Sequence, residues 1–131
     1  MKKKLIKCVA FILKNNNEIL IEKRREDKRT DPGLYCIPSG GIEESESRRD
    51  AVQREIKEEL SLEVNSQSYL GSLIYEKEEV DFEIFYFLIT KWSGEIKSQE
   101  ADLLEWREIK ESSVDTWPDK VIINLLKQKE L

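Results

Sequence analysis

No histidine occurs among the 131 residues, and that absence removes Ser-His-Asp catalysis, Cys-His catalysis and histidine-ligated zinc together. Carboxylates must carry any acid, base or metal chemistry. Cysteine is scarce: Cys8 and Cys36 are isolated among apolar neighbours, the pattern of reduced thiols packed inside a cytosolic protein. No apolar run reaches the length needed to span a membrane, and no internal repeat or low-complexity tract stands out. The opening Met1-Lys2-Lys3-Lys4 is similar to a signal-peptide start, but Lys7 interrupts the apolar run that follows and Lys14 closes it, so a cytoplasmic first strand is expected. Positive charge is also in deficit, with 22 Lys and Arg against 27 Asp and Glu, a net charge of −5 and a pI near 5.0. Without a basic stripe to release counter-ions, a nucleic-acid duplex is not the expected partner. A small phosphorylated ligand carried with a metal is compatible.

What the chain does have is acid in one place. Arg54-Glu55-Ile56-Lys57-Glu58-Glu59 puts three carboxylates and an arginine into six positions. On a helix Glu55, Glu58 and Glu59 stand at i, i+3 and i+4 and leave the same face. Three adjacent negative charges repel, so a positive partner is required. Hard oxygen donors without histidine favour Mg²⁺ or Mn²⁺ over zinc.

The length fits a single domain spanning residues 1–131. Residues 5–13, rich in β-branched side chains, predict a strand, Asn15-Asn16-Asn17 a turn, and residues 18–22 a second strand. A charged loop over 24–30 and the turn Asp31-Pro32-Gly33 lead to a short strand candidate over 34–38. Ser39-Gly40-Gly41 is expected to free the backbone for an unusual path. Ser47, with Asp50 three residues on, predicts a helix start, and the helix should run to about Leu60 with Val52, Ile56 and Leu60 on its apolar arc. Strands are predicted over 69–75, 80–90 and 103–109, the second of them buried on both faces. Trp92-Ser93-Gly94 reads as a turn, and residues 118–129 as a closing helix with Pro118 in its first turn. Strands with two interspersed helices predict a mixed sheet covered on both faces.

From Gly40 to Leu62 the spacing is G-x5-E-x7-R-E-I-x-E-E-x-S-L, through Glu46 and Arg54. It resembles the Nudix box, with every charged position present and Ser61 where the family has glycine. The similarity extends to Asn16-Asn17-Glu18-Ile19 leading into Lys23-Arg24-Arg25, to Pro38-Ser39-Gly40, and to Glu100 ahead of Glu105-Trp106, all similar to the MutT branch. The resemblance implies an α/β (α+β) fold, a Nudix-like α/β/α sandwich with a mixed sheet flanked by helices. It implies hydrolysis of a nucleoside diphosphate linked to another group, with Mg²⁺ or Mn²⁺ as cofactor. Carried over by position, Glu55, Glu58 and Glu59 bind metal with the Ser39 carbonyl, Arg54 holds a box glutamate in place, Gly40 lies at the substrate, and Glu46 fixes the loop into the helix. Glu100 matches a distal carboxylate that reaches the metal site and is considered for base chemistry, with Glu95, Asp102 and Glu105 as nearby alternatives.

Arg24 matches an arginine that reaches purine or phosphate, and Lys23 and Arg25 compete for that role. Trp117-Pro118-Asp119 resembles the segment before the last helix in animal oxidised-purine sanitisers, which places Trp117 and Asp119 at a base pocket; helix-start packing is the competing reading. Glu76-Lys77-Glu78-Glu79-Val80 lacks the proline and tyrosine markers of the ADP-ribose and dinucleoside polyphosphate branches. The implied activity is therefore nucleoside triphosphate pyrophosphohydrolysis, with 8-oxo-dGTP or a related oxidised purine as leading substrate. The alternatives are ADP-ribose, a nucleotide sugar, a pyrimidine triphosphate or a capped RNA end as substrate, or a binding module without turnover. The resemblance is compatible with a monomer or a homodimer in the cytoplasm, with a nucleotide rather than a membrane or duplex as partner.

Overall fold

The computed structural model describes residues 3–98, 101 and 103–129. Its centre is a mixed seven-stranded sheet in the order β3-β2-β1-β6-β5, with β4 paired to β1 and β7 to β2. β1 (Lys4–Asn15) and β6 (Val80–Ser93) run parallel through ten register pairs, from Lys4 opposite Val80 to Leu13 opposite Ile89. Every other pairing is antiparallel, including β5 (Glu63–Glu76) on β6 and β7 (Leu103–Glu108) on β2 (Glu18–Lys23).

Alternation along β1 and β6 sorts their apolar residues into two cores. Val9, Phe11, Leu13, Phe85, Phe87 and Ile89 face α1 (Arg48–Leu60), which contributes Ala51, Val52, Ile56 and Leu60. Ala10, Ile12, Tyr86 and Leu88 face α2 (Trp117–Lys129), which contributes Ile122, Ile123 and Leu126. Each helix therefore covers one face, as an α/β/α sandwich requires. The predicted two-sided burial of β6 follows from that arrangement.

α1 starts and stops where its chemistry says it should. The Ser47 hydroxyl accepts from the Asp50 N–H at 3.1 Å, a cap on the first turn. Ser61 ends it in the left-handed region, with φ 63° and ψ 33°, its N–H bonded to the Lys57 carbonyl. The box serine thus adopts the conformation that glycine takes without steric cost.

Four expectations are corrected. Ser39-Gly40-Gly41 is not an irregular path but the strand β4 (Ser39–Gly41), held opposite Ala10, Val9 and Cys8 of β1. The strand candidate over 34–38 shrinks to β3 (Tyr35–Cys36), paired with β2. β5 begins at Glu63 rather than at Tyr69, because backbone pairing with β6 recruits the polar stretch 63–68 through a series of bulges. β6 in turn continues through Trp92 and Ser93, where a turn was expected, and the chain bends at Gly94 with φ 107°.

α2 is tied to the sheet by a buried acid. Asp119 Oδ1 accepts from the Tyr86 hydroxyl at 2.7 Å and Oδ2 from the Ile37 N–H at 2.9 Å. Burial pushes the Asp119 carboxyl up to about 6, against the pull of its hydrogen bonds from Tyr86, Ile37 and Thr116. The folded protein then holds a proton that the unfolded chain releases, so stability is lost as pH rises from about 4 to about 6.

Two outcomes are expected. Ser61→Gly raises the urea midpoint, by about 1 kcal/mol of stability, because the left-handed residue no longer carries a Cβ; a midpoint below the parent's contradicts this. For Asp119→Asn, the parent's stability advantage shrinks as urea unfolding is moved from about pH 4 to about pH 6.5. A growing advantage would show that Asp119 is ionised throughout.

Candidate active site

Arg54 stands on the side of α1 next to its buried arc, only 22% exposed, and its guanidinium is used on every edge. Nε and Nη2 donate as a fork to Glu46 Oε2 and Oε1 at 2.7 and 2.8 Å. Nη1 donates to Glu55 Oε1 at 2.8 Å and Glu58 Oε2 at 3.2 Å, and Nη2 also to the Gly41 carbonyl at 2.9 Å. A planar donor group matches carboxylates in this way where an ammonium cannot. Glu46 in turn accepts from the Glu43 N–H at 3.0 Å, which closes the turn before the helix. The Arg54 hydrogen bonds hold the Glu46 carboxyl down at about 2, well below its usual range.

Glu55 is the inner carboxylate, with its side chain 11% exposed. Burial pushes its carboxyl up, Arg54 pulls it down by hydrogen bond and charge, Glu58 raises it again, and a hydrogen bond with Glu59 lowers it. Gly40 explains how it fits: a Cβ on Gly40 would collide with the Glu55 carboxyl. The first glycine of the predicted loop thus gives strand β4 room for an acid from the helix. Glu58 is far more open, 58% exposed, and one Glu59 oxygen is shut off from solvent.

These groups line one end of a cavity of about 410 Å³. Its floor is the α2-facing side of β1 and β6, with Ile6, Cys8, Ala10, Phe82 and Ile84. Glu55, Glu58, Glu59, Ser39, Gly40 and Gly41 form the acidic end. Arg24, Arg25 and Lys28 enter from the loop after β2, and Tyr75, Ile37, Thr116 and Asp119 lie in the remaining wall. Among the described residues no three acidic or sulfur side chains stand in ready ligand geometry. Arg54 takes oxygens of Glu55 and Glu58 instead and supplies the positive charge that clustered carboxylates need. The donors at this end nevertheless suit a hard divalent cation, since they are carboxylate and peptide oxygens. The nearby Cys8 is no soft competitor, because burial and the Glu55 charge push its thiol up to about 11.

Of the residues singled out by sequence, Arg24, Ser39, Gly40, Glu55, Glu58, Glu59 and Asp119 line this cavity together, and Arg54 and Glu46 support it from behind. Trp117 is not in the lining: its indole is 49% exposed and packs edge-on against Tyr75, ring centres 6.2 Å apart. Glu100 lies outside the described residues, although Ala101 reaches the cavity. Sequence reasoning missed Glu22, Asp31, Tyr75 and Thr116, which also line it. Glu22 carried a signal, an acid directly after the apolar run Ile19-Leu20-Ile21 of β2; the others are assembled only by the fold.

Arg54→Lys is expected to lower stability by about 2 kcal/mol in urea unfolding, because the fork to Glu46 and the bond to the Gly41 carbonyl cannot both be kept. An unchanged midpoint contradicts the shared-guanidinium geometry. The depressed Glu46 carboxyl stabilises the fold above its usual pKa near 4.5 and ceases to do so as pH falls through about 2. Glu46→Gln should therefore flatten the acid limb between those values, and a limb as steep as the parent's would contradict it.

Known proteins share the sequence pattern and the fold. The model of the NUDIX domain matches residues 4–125. The chain is 32% identical over 116 residues to an 8-oxo-dGTP diphosphatase of Escherichia coli K12, covering 88% of this chain and 89% of that one. It is 28% identical over 103 residues to a CTP pyrophosphohydrolase of the same organism, covering 79% and 77%. A MutT protein from Methanosarcina mazei Go1 superposes with a TM-score of 0.86 at 22% identity, over 99% of this chain and 98% of that one. A MutT NUDIX hydrolase from Burkholderia pseudomallei superposes at 0.82 and 18% identity, over 93% and 98%. With its fold shared along nearly the whole length and its box assembled around one arginine, this chain belongs to the Nudix hydrolase family.

Proposed function

We propose that residues 1–131 act as one domain that hydrolyses nucleoside triphosphates with Mg²⁺ or Mn²⁺, adding water across the α–β phosphoric anhydride to give a nucleoside monophosphate and pyrophosphate. The observation that carries this reading is the cavity itself, which joins an acidic end, a cationic loop and a wall of Tyr75, Ile37, Thr116 and Asp119. A nucleotide has the same three parts: a metal-carrying anionic chain, further phosphate charge, and a flat base. Nudix hydrolases in general use divalent ions, and Glu55, Glu58, Glu59 and the Ser39 carbonyl, with Glu100, would hold them here. A divalent ion in that position neutralises the polyphosphate and lowers the pKa of the attacking water.

The residues divide the remaining work. Arg54 and Glu46 keep the carboxylates aimed into the cavity. Arg24 meets phosphate or purine, Gly40 keeps the approach narrow and unobstructed, and Asp119 holds the base-side wall with Trp117 behind Tyr75. An oxidised purine triphosphate such as 8-oxo-dGTP is the leading substrate, supported by the relative of that name. The CTP pyrophosphohydrolase relative favours a pyrimidine triphosphate as second reading.

A panel of 8-oxo-dGTP, dGTP, CTP, ADP-ribose and nucleotide sugars, assayed for pyrophosphate or phosphate release with each metal, is expected to give fastest turnover with a triphosphate. Turnover of none of them contradicts the enzymatic reading; preference for ADP-ribose or a nucleotide sugar contradicts the triphosphate reading. Glu58→Gln should lower kcat on the order of 10²-fold with an unchanged thermal midpoint, since this side chain is 58% exposed. Near-parental rates would place the chemistry elsewhere.

A further inference from the structure

The loop over residues 24–34 is closed on itself. The Gly33 N–H donates to the Arg24 carbonyl at 3.0 Å, the Arg24 N–H to the Leu34 carbonyl at 2.9 Å, and Arg24 Nε to the Thr30 carbonyl at 2.9 Å. None of these eleven positions is buried, so no hydrophobic core holds the loop in place. It nevertheless brings Arg24, Arg25, Lys28, Thr30 and Asp31 into the cavity wall.

One residue ties it across the cavity. Asp31, in the left-handed region at φ 50°, accepts through Oδ1 from Lys77 Nζ at 2.8 Å and from the Tyr75 hydroxyl at 3.2 Å. Lys77 lies in the turn between β5 and β6, and its Nζ also stands 4.4 Å from the centre of the Tyr75 ring. The Asp31 side chain is only 10% exposed, which makes this a partly desolvated pair rather than a solvated surface one. The position of Asp31 in the chain gives the tie its meaning. It follows Thr30, whose carbonyl fixes the Arg24 guanidinium, so the β5–β6 turn is connected to Arg24 through two polar contacts joined by the Thr30–Asp31 peptide link.

We propose that Asp31 and Lys77 form a latch that positions Arg24 in the cavity, making Lys77 a positioning residue for substrate binding. The proposal deepens the functional reading above and rests on Arg24 meeting the substrate. Without the Lys77 ammonium, the nearly buried Asp31 carboxylate keeps Tyr75 as partner but loses its counter-charge, and the loop swings outward to hydrate it. Binding then weakens while the acidic end, built on α1 and β4, stays intact.

The experiment has two readouts. Trypsin cleavage within the loop, at Arg24, Arg25, Lys28 or Arg29, is followed by mass spectrometry on the folded protein, and KM and kcat are measured for the best triphosphate. Lys77→Met is expected to speed loop cleavage and raise KM, each by about fivefold, with kcat and thermal midpoint near the parent's; Lys77→Arg restores both. Loop cleavage and KM equal to the parent's overturn the latch, as does a loss of kcat and midpoint with loop cleavage unchanged. If the parent turns over no nucleotide, the functional reading has failed and the cleavage comparison alone decides the latch.

Discussion

The site depends on one guanidinium. Arg54 shares its donors among Glu46, Glu55, Glu58 and the Gly41 carbonyl, and these contacts join the loop before α1, the helix and strand β4. Carboxylates this close would otherwise repel one another, and Arg54 opposes the rise that burial imposes on the inner Glu55 carboxyl without cancelling it. The arginine keeps them oriented while leaving oxygen-rich surface toward the cavity. On the proposed reading, a divalent cation and a polyphosphate would add charges of alternating sign to this array.

The sheet decides where that array opens. Because β1 and β6 carry apolar residues on both faces, α1 and α2 are driven to opposite sides. The acids of α1 must therefore reach the α2-facing cavity past the edge of the sheet, and they do so at β4, where Gly40 has no side chain to obstruct Glu55. On the far wall Asp119 pins the start of α2 to Tyr86 and Ile37. The cavity is thus bounded by one acid cluster that a guanidinium organises and partly neutralises and one buried acid that hydrogen bonds hold.

The box was legible in the sequence because its chemistry is local. Glu55, Glu58 and Glu59 follow from helical spacing, and the Ser47 cap from the short polar side chain before the helix. The central strands were legible from their apolar runs. Less visible was whatever depends on pairing at a distance. The polar start of β5 has weak intrinsic preference and becomes a strand only because β6 offers it a ladder; the Ser39-Gly40-Gly41 segment becomes β4 only beside β1. The cavity wall was the hardest part to foresee, since Asp31 and Tyr75 are 44 positions apart and nothing in their neighbours announces a shared hydrogen bond. Trp117 is a different case, an aromatic in a suggestive motif that packs on Tyr75 and stands one ring removed from the cavity.

The central claim is that the acidic end of the cavity receives a divalent ion together with a nucleotide polyphosphate. Anomalous diffraction from crystals grown with Mn²⁺ and a non-hydrolysable nucleoside triphosphate analogue tests it most directly. The account predicts a Mn²⁺ peak bound by oxygens of Glu55, Glu58 or Glu59, with the analogue's phosphates between that peak and Arg24. A peak elsewhere, or an analogue bound outside this cavity, would contradict it.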